Sequence, residues 1–227
     1  MALILQIDTA TEHASICLSK DGETLCTKIS VDQKNHGSFL QPAISEIMAM
    51  TTQNLANVDA IAVSEGPGSY TGLRVGLASA KGICYALQKP LITINTLKII
   101  AVSAIKAANK TVANTVFIPM IDARRMEVFT AVYDQQLNIL EEPSAKILDE
   151  SSFMTLLNEN PVIFCGSGSV KFKNICQHPN AVFSTEQHSA EDMSKLAFNA
   201  LQEKNFANLA YSEPFYVKSF YSPPSKK

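Results

Sequence analysis

The sequence has no excess of basic charge: 19 lysines and arginines face 21 acids, for a net charge of −2. The signs are interspersed, and the only cluster is Lys226-Lys227. Lys and Arg neutralising phosphates supply most nucleic-acid affinity, so no basic excess advertises direct tRNA binding. No apolar run approaches the roughly 18 residues of a membrane helix. Met1 to Ile7 lacks a charged start and is cut off by Asp8, so no secretory leader is expected. The cysteines, Cys17, Cys26, Cys84, Cys165 and Cys176, form no CxxC pair and read as reduced core thiols of a cytoplasmic protein. His13, His36, His178 and His188 have no metal-ligand spacing and read as surface or cap residues. A GxSxG elbow and a Walker Gly-Lys-Ser/Thr are also missing, which removes two further enzyme classes.

What is present is an α/β pattern that repeats. Leu3 to Ile7 is a buried-strand run ending in Asp8, Ala14 to Leu18 returns, and Lys20-Asp21-Gly22 is a hairpin signal before a third strand from Glu23 to Ser30. Asn35 to Met50 has apolar residues at helical spacing, with Pro42 placing the start near His36. Val58 to Ser64 is a strand, Gly72 to Leu87 a helix with Thr71 as its expected N-cap, Leu91 to Ile94 a strand and Thr96 to Asn109 an alanine-rich helix. Val116 to Ile121 then ends in Asp122 as Leu3 to Ile7 ends in Asp8, and Met126 to Tyr133 returns. Val162 to Cys165 runs into Gly166-Ser167-Gly168, and Ala190 to Lys204 is a final helix. Read as a duplication, this predicts two related lobes of the actin, Hsp70 and sugar-kinase (ASKHA) class. The expected divisions are 1–103, 104–208, and a segment 209–227 packed back on the first lobe with a disordered end, Pro223 to Lys227.

The strongest motif is Gly66-Pro67-Gly68-Ser69-Tyr70-Thr71-Gly72-Leu73-Arg74-Val75-Gly76. It is neither a Walker loop nor a dinucleotide fingerprint, since Thr71 stands where the third glycine belongs. A tight turn and a phosphate cradle are both open readings. In the following helix Gly72, Gly76 and Ala80 fall four apart, making a small face that lets another backbone approach closely. Each interior glycine costs about 1 kcal/mol relative to alanine, so the face has a packing reason. That neighbour is either the protein's own sheet or another helix. Asp8 with Thr9, and Asp122 with Arg124, are candidates either to meet a nucleotide and its magnesium or to cap Asx turns.

The eleven-residue glycine motif resembles the signature of the TsaB (YeaZ) family. Ile7-Asp8-Thr9-Ala10, Asn35-His36 through Pro42, Ile121 to Arg124 with Glu127-Val128, and Glu213-Pro214 with Tyr216-Val217-Lys218 match it in order, Lys218 replacing a more familiar Arg. The resemblance spans nearly the whole chain. It implies a non-catalytic subunit that joins the transferase TsaD and the ATPase TsaE to form N6-threonylcarbamoyladenosine beside the anticodon of ANN-decoding tRNAs. It also implies a homodimer in isolation, tRNA bound only through the complex, ATP used by the complex, and no cofactor or metal of the subunit's own. TsaD carries two metal-binding histidines where Thr96 and Ile100 stand here. The implied partner surface is made of two helices, with His36, Leu40, Ile44, Ile47 and Met48 on the first and Thr71, Gly72, Val75, Gly76, Ser79 and Ala80 on the second. The competing classes are a sugar-kinase-like ATP-binding enzyme and a peptidase, and no coherent catalytic set supports either.

Overall fold

The computed structural model describes residues 1–30, 36–108 and 112–218. Asn35, Asn109 and the tail Pro223 to Lys227, expected to be a helix start, a helix end and a disordered terminus, lie outside them. Two five-stranded sheets form among the described residues, and they share one topology. In the first, β1 (Leu3–Asp8), β2 (Ser15–Lys20) and β3 (Glu23–Ile29) form an antiparallel meander, and β1 pairs in parallel with β4 (Ala60–Gly66), which pairs in parallel with β5 (Leu91–Asn95). In the second, β6 (Val116–Asp122), β7 (Glu127–Tyr133) and β8 (Ile139–Ile147) repeat the meander, and β9 (Val162–Cys165) and β10 (Ala181–Phe183) repeat the parallel pair. The duplication read from the sequence is thus present strand for strand, in a two-lobed ASKHA-type α/β fold.

The central strands are covered on both faces, which is why they read as continuous apolar runs rather than alternating ones. Leu3, Leu5 and Ile7 of β1 face α1 (His36–Met50) and α2 (Tyr70–Leu87), where Leu40, Ile44, Ile47 and Met48 complete the core. Ile4 faces the opposite layer, built from α3 (Thr96–Ala107), a 3-10 turn at Ala190–Met193 and a terminal helix. The second lobe adds the short helices α4 (Met154–Glu159) and α5 (Ser169–Lys173) over a cluster of Phe153, Phe164, Phe172 and Phe183. The terminal helix, α6 (Ser194–Gln202), lies on the first sheet although the sequence division placed it in the second lobe. Its apolar stripe is short, and the first sheet offers the uncovered face. The expected boundary at 103 falls inside α3, which belongs to both cores: Ile99 packs on the first sheet, and Leu97, Ile100, Ala101 and Ala104 on the second. Its small residues let two sheets approach one helix.

The N-cap of α2 is Ser69, not Thr71; the Ser69 hydroxyl accepts from the Gly72 N–H at 3.2 Å. The small face of that helix turns inward. A Cβ at Gly68 or Gly72 would overlap the carbonyl oxygens of Ala10 and Thr9, and one at Gly76 would overlap the Thr9 hydroxyl. That hydroxyl is buried and donates to the Gly72 carbonyl at 2.7 Å, so it has no free rotamer to retreat to. Gly82, two turns further on, has open space where a Cβ would stand.

Gly76→Ala should therefore destabilise the protein by about 1–3 kcal/mol through overpacking. Gly82→Ala should stabilise it by up to about 1 kcal/mol through helix propensity. Thermal melting of the two variants should move in opposite directions; a Gly76→Ala protein that melts like wild type would mean the close approach is not present in solution.

Candidate functional site

Two cavities lie between the lobes, on either side of the β1–β2 turn. The larger, about 600 Å³, is bounded by Ala10 to Glu12, by Gly68 to Thr71 at the start of α2, by His36, and by Ile121 to Arg124 across the cleft. The smaller, about 230 Å³, lies between that turn, Ile100 of α3, Gly166 and Val170, and the segment 184–188 that returns the chain to the first lobe.

Neither aspartate at the strand ends is free. Asp8 is fully buried at the end of β1. One carboxylate oxygen accepts from the Ser64 hydroxyl at 2.7 Å and the Ala10 N–H at 3.0 Å, and the other faces His188 Nε2 at 3.3 Å. Burial alone would raise its pKa, but His188, Ser64 and the Ala10 N–H together hold it below the ordinary carboxylate value. Asp122 is exposed, and its Oδ1 accepts from the Arg124 N–H and from Lys171 Nζ, both at 2.6 Å. Its slight burial is likewise outweighed by Lys171 and the Arg124 N–H, so its pKa is lowered. In both lobes the carboxylate takes the N–H two residues on, the geometry of an Asx turn. Thr9 is buried between β1 and α2, and Arg124 stands at the cleft rim with left-handed backbone, φ 73°.

His188, read from the sequence as a surface or cap residue, has a side chain only 10% exposed. Nothing local in the sequence announces it, because its partners Asp8 and Thr11 lie at the other end of the chain. Thr11 Oγ1 and Asp8 both approach the same ring nitrogen, Nε2, at 3.4 and 3.3 Å. A hydrolytic relay needs acid and nucleophile on opposite nitrogens, so this trio is a tether between segments and not a protease triad. Thr96 and Ile100 both sit buried in the first turns of α3. Among the described residues no group of His, Cys, Asp or Glu is arranged to hold a metal ion.

The helical residues expected to meet a partner divide sharply. Leu40, Ile44, Ile47, Met48, Gly72, Gly76 and Ala80 are buried in the protein's own core, so they form no free surface. His36 and Val75 are half-buried, and Thr71 is exposed at the cleft. Ser79 alone borders an open groove of about 290 Å³ between α1 and α2, whose other walls are mainly Gln41, Ala78, Gly82, Ile83 and Leu87. Tyr85 and Met50, on the same helices, are 73% and 64% exposed. The accessible face is therefore rotated from the one the small-residue spacing suggested.

The family model described as TsaD, tRNA N6-adenosine threonylcarbamoyltransferase, matches residues 28–223. The tRNA threonylcarbamoyladenosine biosynthesis protein TsaB of Escherichia coli K12 is 28% identical over 223 residues, covering 95% of this chain and 94% of that protein. TsaB of Bacillus subtilis 168 is 27% identical, with 95% and 93% covered. A solved structure from Pseudomonas aeruginosa, described as an uncharacterised protein with similarity to peptidase YEAZ, superposes with a TM-score of 0.80 at 27% identity, covering 96% of this chain and all of that one.

A group whose folded pKa is depressed contributes stability above its unfolded pKa, near 3.9 for Asp, and loses it as pH falls through the folded value. Asp8→Asn should thus cost about 1–3 kcal/mol at neutral pH by disrupting a buried, charge-assisted network. The gap between mutant and wild-type melting temperatures should close as pH drops below about 4. A gap that stays constant down to pH 2 would show that Asp8 is not ionised in the folded protein.

Proposed function

The chain belongs to the TsaD family of tRNA N6-adenosine threonylcarbamoyltransferases, within it to the TsaB (YeaZ) relatives, and on that premise we propose that it is a non-catalytic docking subunit of the transferase. Its part in making threonylcarbamoyladenosine in tRNA follows from those relatives. The finer reading is that it binds TsaD through α1 and α2, that the ATPase TsaE joins the assembly, and that tRNA is engaged only there, in the cytoplasm. In isolation the same face would pair two copies of the chain.

The observation that carries this reading is the apolar groove between α1 and α2, with Ala78 and Gly82 exposed and Ile83 half-buried beside fully packed core residues. Small side chains at the bottom of such a groove admit a partner helix, and interfaces concentrate their energy in a few such packed positions. The absence of a role in chemistry is supported by Thr96 and Ile100, which stand where the resemblance to TsaD expects metal-binding histidines. Neither side chain is a ligand for a metal held by nitrogen. A sugar-kinase reading is less favoured because Asp8 and Asp122 already spend their carboxylates on Ser64, His188 and Lys171. The peptidase reading lacks a relay, as His188 offers one nitrogen to both partners.

Gly82→Arg tests the docking face without the folding defect expected at Gly76. The variant should melt at or above the wild-type temperature and bind TsaD at least about tenfold more weakly. Modification of tRNA by TsaD and TsaE should require the wild-type chain, and the chain alone should turn nothing over. A stable Gly82→Arg protein that co-purifies with TsaD normally would place the interface elsewhere.

A further inference from the structure

Gly68, Gly72 and Gly76 of the long motif meet Thr9 and Ala10. The alternate set, Gly66, Tyr70 and Arg74, also four residues apart, meets the last described residues of the chain. A Cβ at Gly66 would overlap the Phe215 carbonyl oxygen, and φ there is 119°, a conformation only glycine adopts without strain. The Phe215 N–H donates to the adjacent Glu65 carbonyl at 2.7 Å. The Tyr216 ring packs on that of Tyr70 with centroids 5.5 Å apart, and its hydroxyl accepts from Arg74 Nε at 3.1 Å. Lys81, on the same stripe of α2, donates to the Ala210 and Ser212 carbonyls at 3.2 and 3.1 Å. The Ala207 N–H donates to the Leu91 carbonyl at 2.8 Å. Residues 207–216 are thus laid from the edge of β5 along α2 to the end of β4, all on the first lobe.

Lys218 then leaves that lobe and pairs with Glu127 of β7 at 2.5 Å. The crossing runs beside the larger cleft cavity. Tyr70 lines that cavity from the first lobe, and Phe129, two residues from Glu127 on β7, lines it from the second. The two attachments are unequal. On the first lobe the segment is fixed by main-chain hydrogen bonds and ring packing. On the second it is held by an ion pair whose lysine side chain is 54% exposed. Such a pair shifts an equilibrium by a factor of about five at most, and salt screens it.

We propose that residues 207–218 form a strap seated by Gly66, Tyr70 and Arg74, and that the Lys218–Glu127 pair is its latch across the cleft. With the latch closed the two lobes are held together beside the cavity. With it open the strap stays on the first lobe and the cleft widens. The latch goes beyond the docking reading and does not depend on it, because none of these residues lines the groove of Ala78 and Gly82.

The test is amide NMR of the full chain with a soluble gadolinium chelate, whose paramagnetic relaxation reports how often a residue meets solvent. Ala10 and Ile121 are read, since both are buried and they line opposite walls of the cavity. Lys218→Gln and Glu127→Gln should each raise the relaxation at both residues by up to about fivefold at low salt. The double variant should do no more than either alone, as expected when both act through one contact. Lys218→Arg, which keeps the charge, should match wild type. The Phe215 amide should keep its protection from hydrogen exchange in every variant, because its bond to Glu65 lies within the first lobe. Wall relaxation equal to wild type in the Gln variants would overturn the proposal, and loss of Phe215 protection alongside it would make the segment a packed tail. Effects that add in the double variant would also overturn it, by showing that the two side chains act separately.

Discussion

Where Thr9 and Ala10 leave the central strand of the first sheet, their carbonyls press directly onto helix α2. Only hydrogen fits on the helix side at positions 68 and 72, and only hydrogen leaves the Thr9 hydroxyl its bond to Gly72 at position 76. This approach fixes the angle at which α2 leaves β4. It brings Ser69 to its N-cap position and sets Leu73, Leu77 and Cys84 into the core. It also fixes what is left outside: the groove along Ala78, Gly82 and Ile83, and the Tyr70–Arg74 end at the cleft. The contact is made of main chain, so it cannot be relaxed by choosing another rotamer. Interior glycines, each costing about 1 kcal/mol of helix stability, are the condition for it.

The second lobe repeats the arrangement with other means. Gly166 and Gly168 meet the Met120 carbonyl and the Val128 and Met120 side chains, as the first-lobe glycines meet Thr9 and Ala10. Between the lobes, α3 is a shared slab whose two faces complete two different cores. Further cross-ties come from the return segment and the chain's end. His188 reaches Asp8, Lys106 reaches Asp192 at 2.8 Å, and Lys218 reaches Glu127. The Phe215 N–H bonds the Glu65 carbonyl at 2.7 Å, and Lys81 Nζ donates to the carbonyls of Ala210 and Ser212, which lays the last described residues along α2.

The elements legible in the sequence were those set by local periodicity: the first meander, the opening two strands of the second, α1, α2, α3 and the duplication itself, while β8 was not. The turn aspartates were legible too, because an Asx turn is a local arrangement. What stayed hidden depends on contacts across the chain. The spacing of Gly72, Gly76 and Ala80 announces a close approach, but it cannot say whether the neighbour is a partner's helix or the protein's own Thr9. The wide stripe of Leu40, Ile44 and Ile47 likewise looks the same whether it faces a sheet or a second protein. His188, Lys171 and the placement of α6 gave no local signal, since each is defined by residues at least 40 positions away. The short elements α4, α5 and β10 fell below the length at which periodicity is readable.

The terminal helix has a consequence for how the molecule is made. β1 leaves the ribosome well before Ala190, Met193 and Ala197, which close one face of its sheet. Domains that form during synthesis do so as soon as their own residues have emerged. Here the first lobe has its strands by residue 95, but its back face waits for almost another hundred residues. Through that interval Ile4, Ala60, Ala62, Ile92 and Ile94 present an apolar sheet to the cell with only α3 available to cover it. Truncation before α6 therefore removes a core layer rather than a tail.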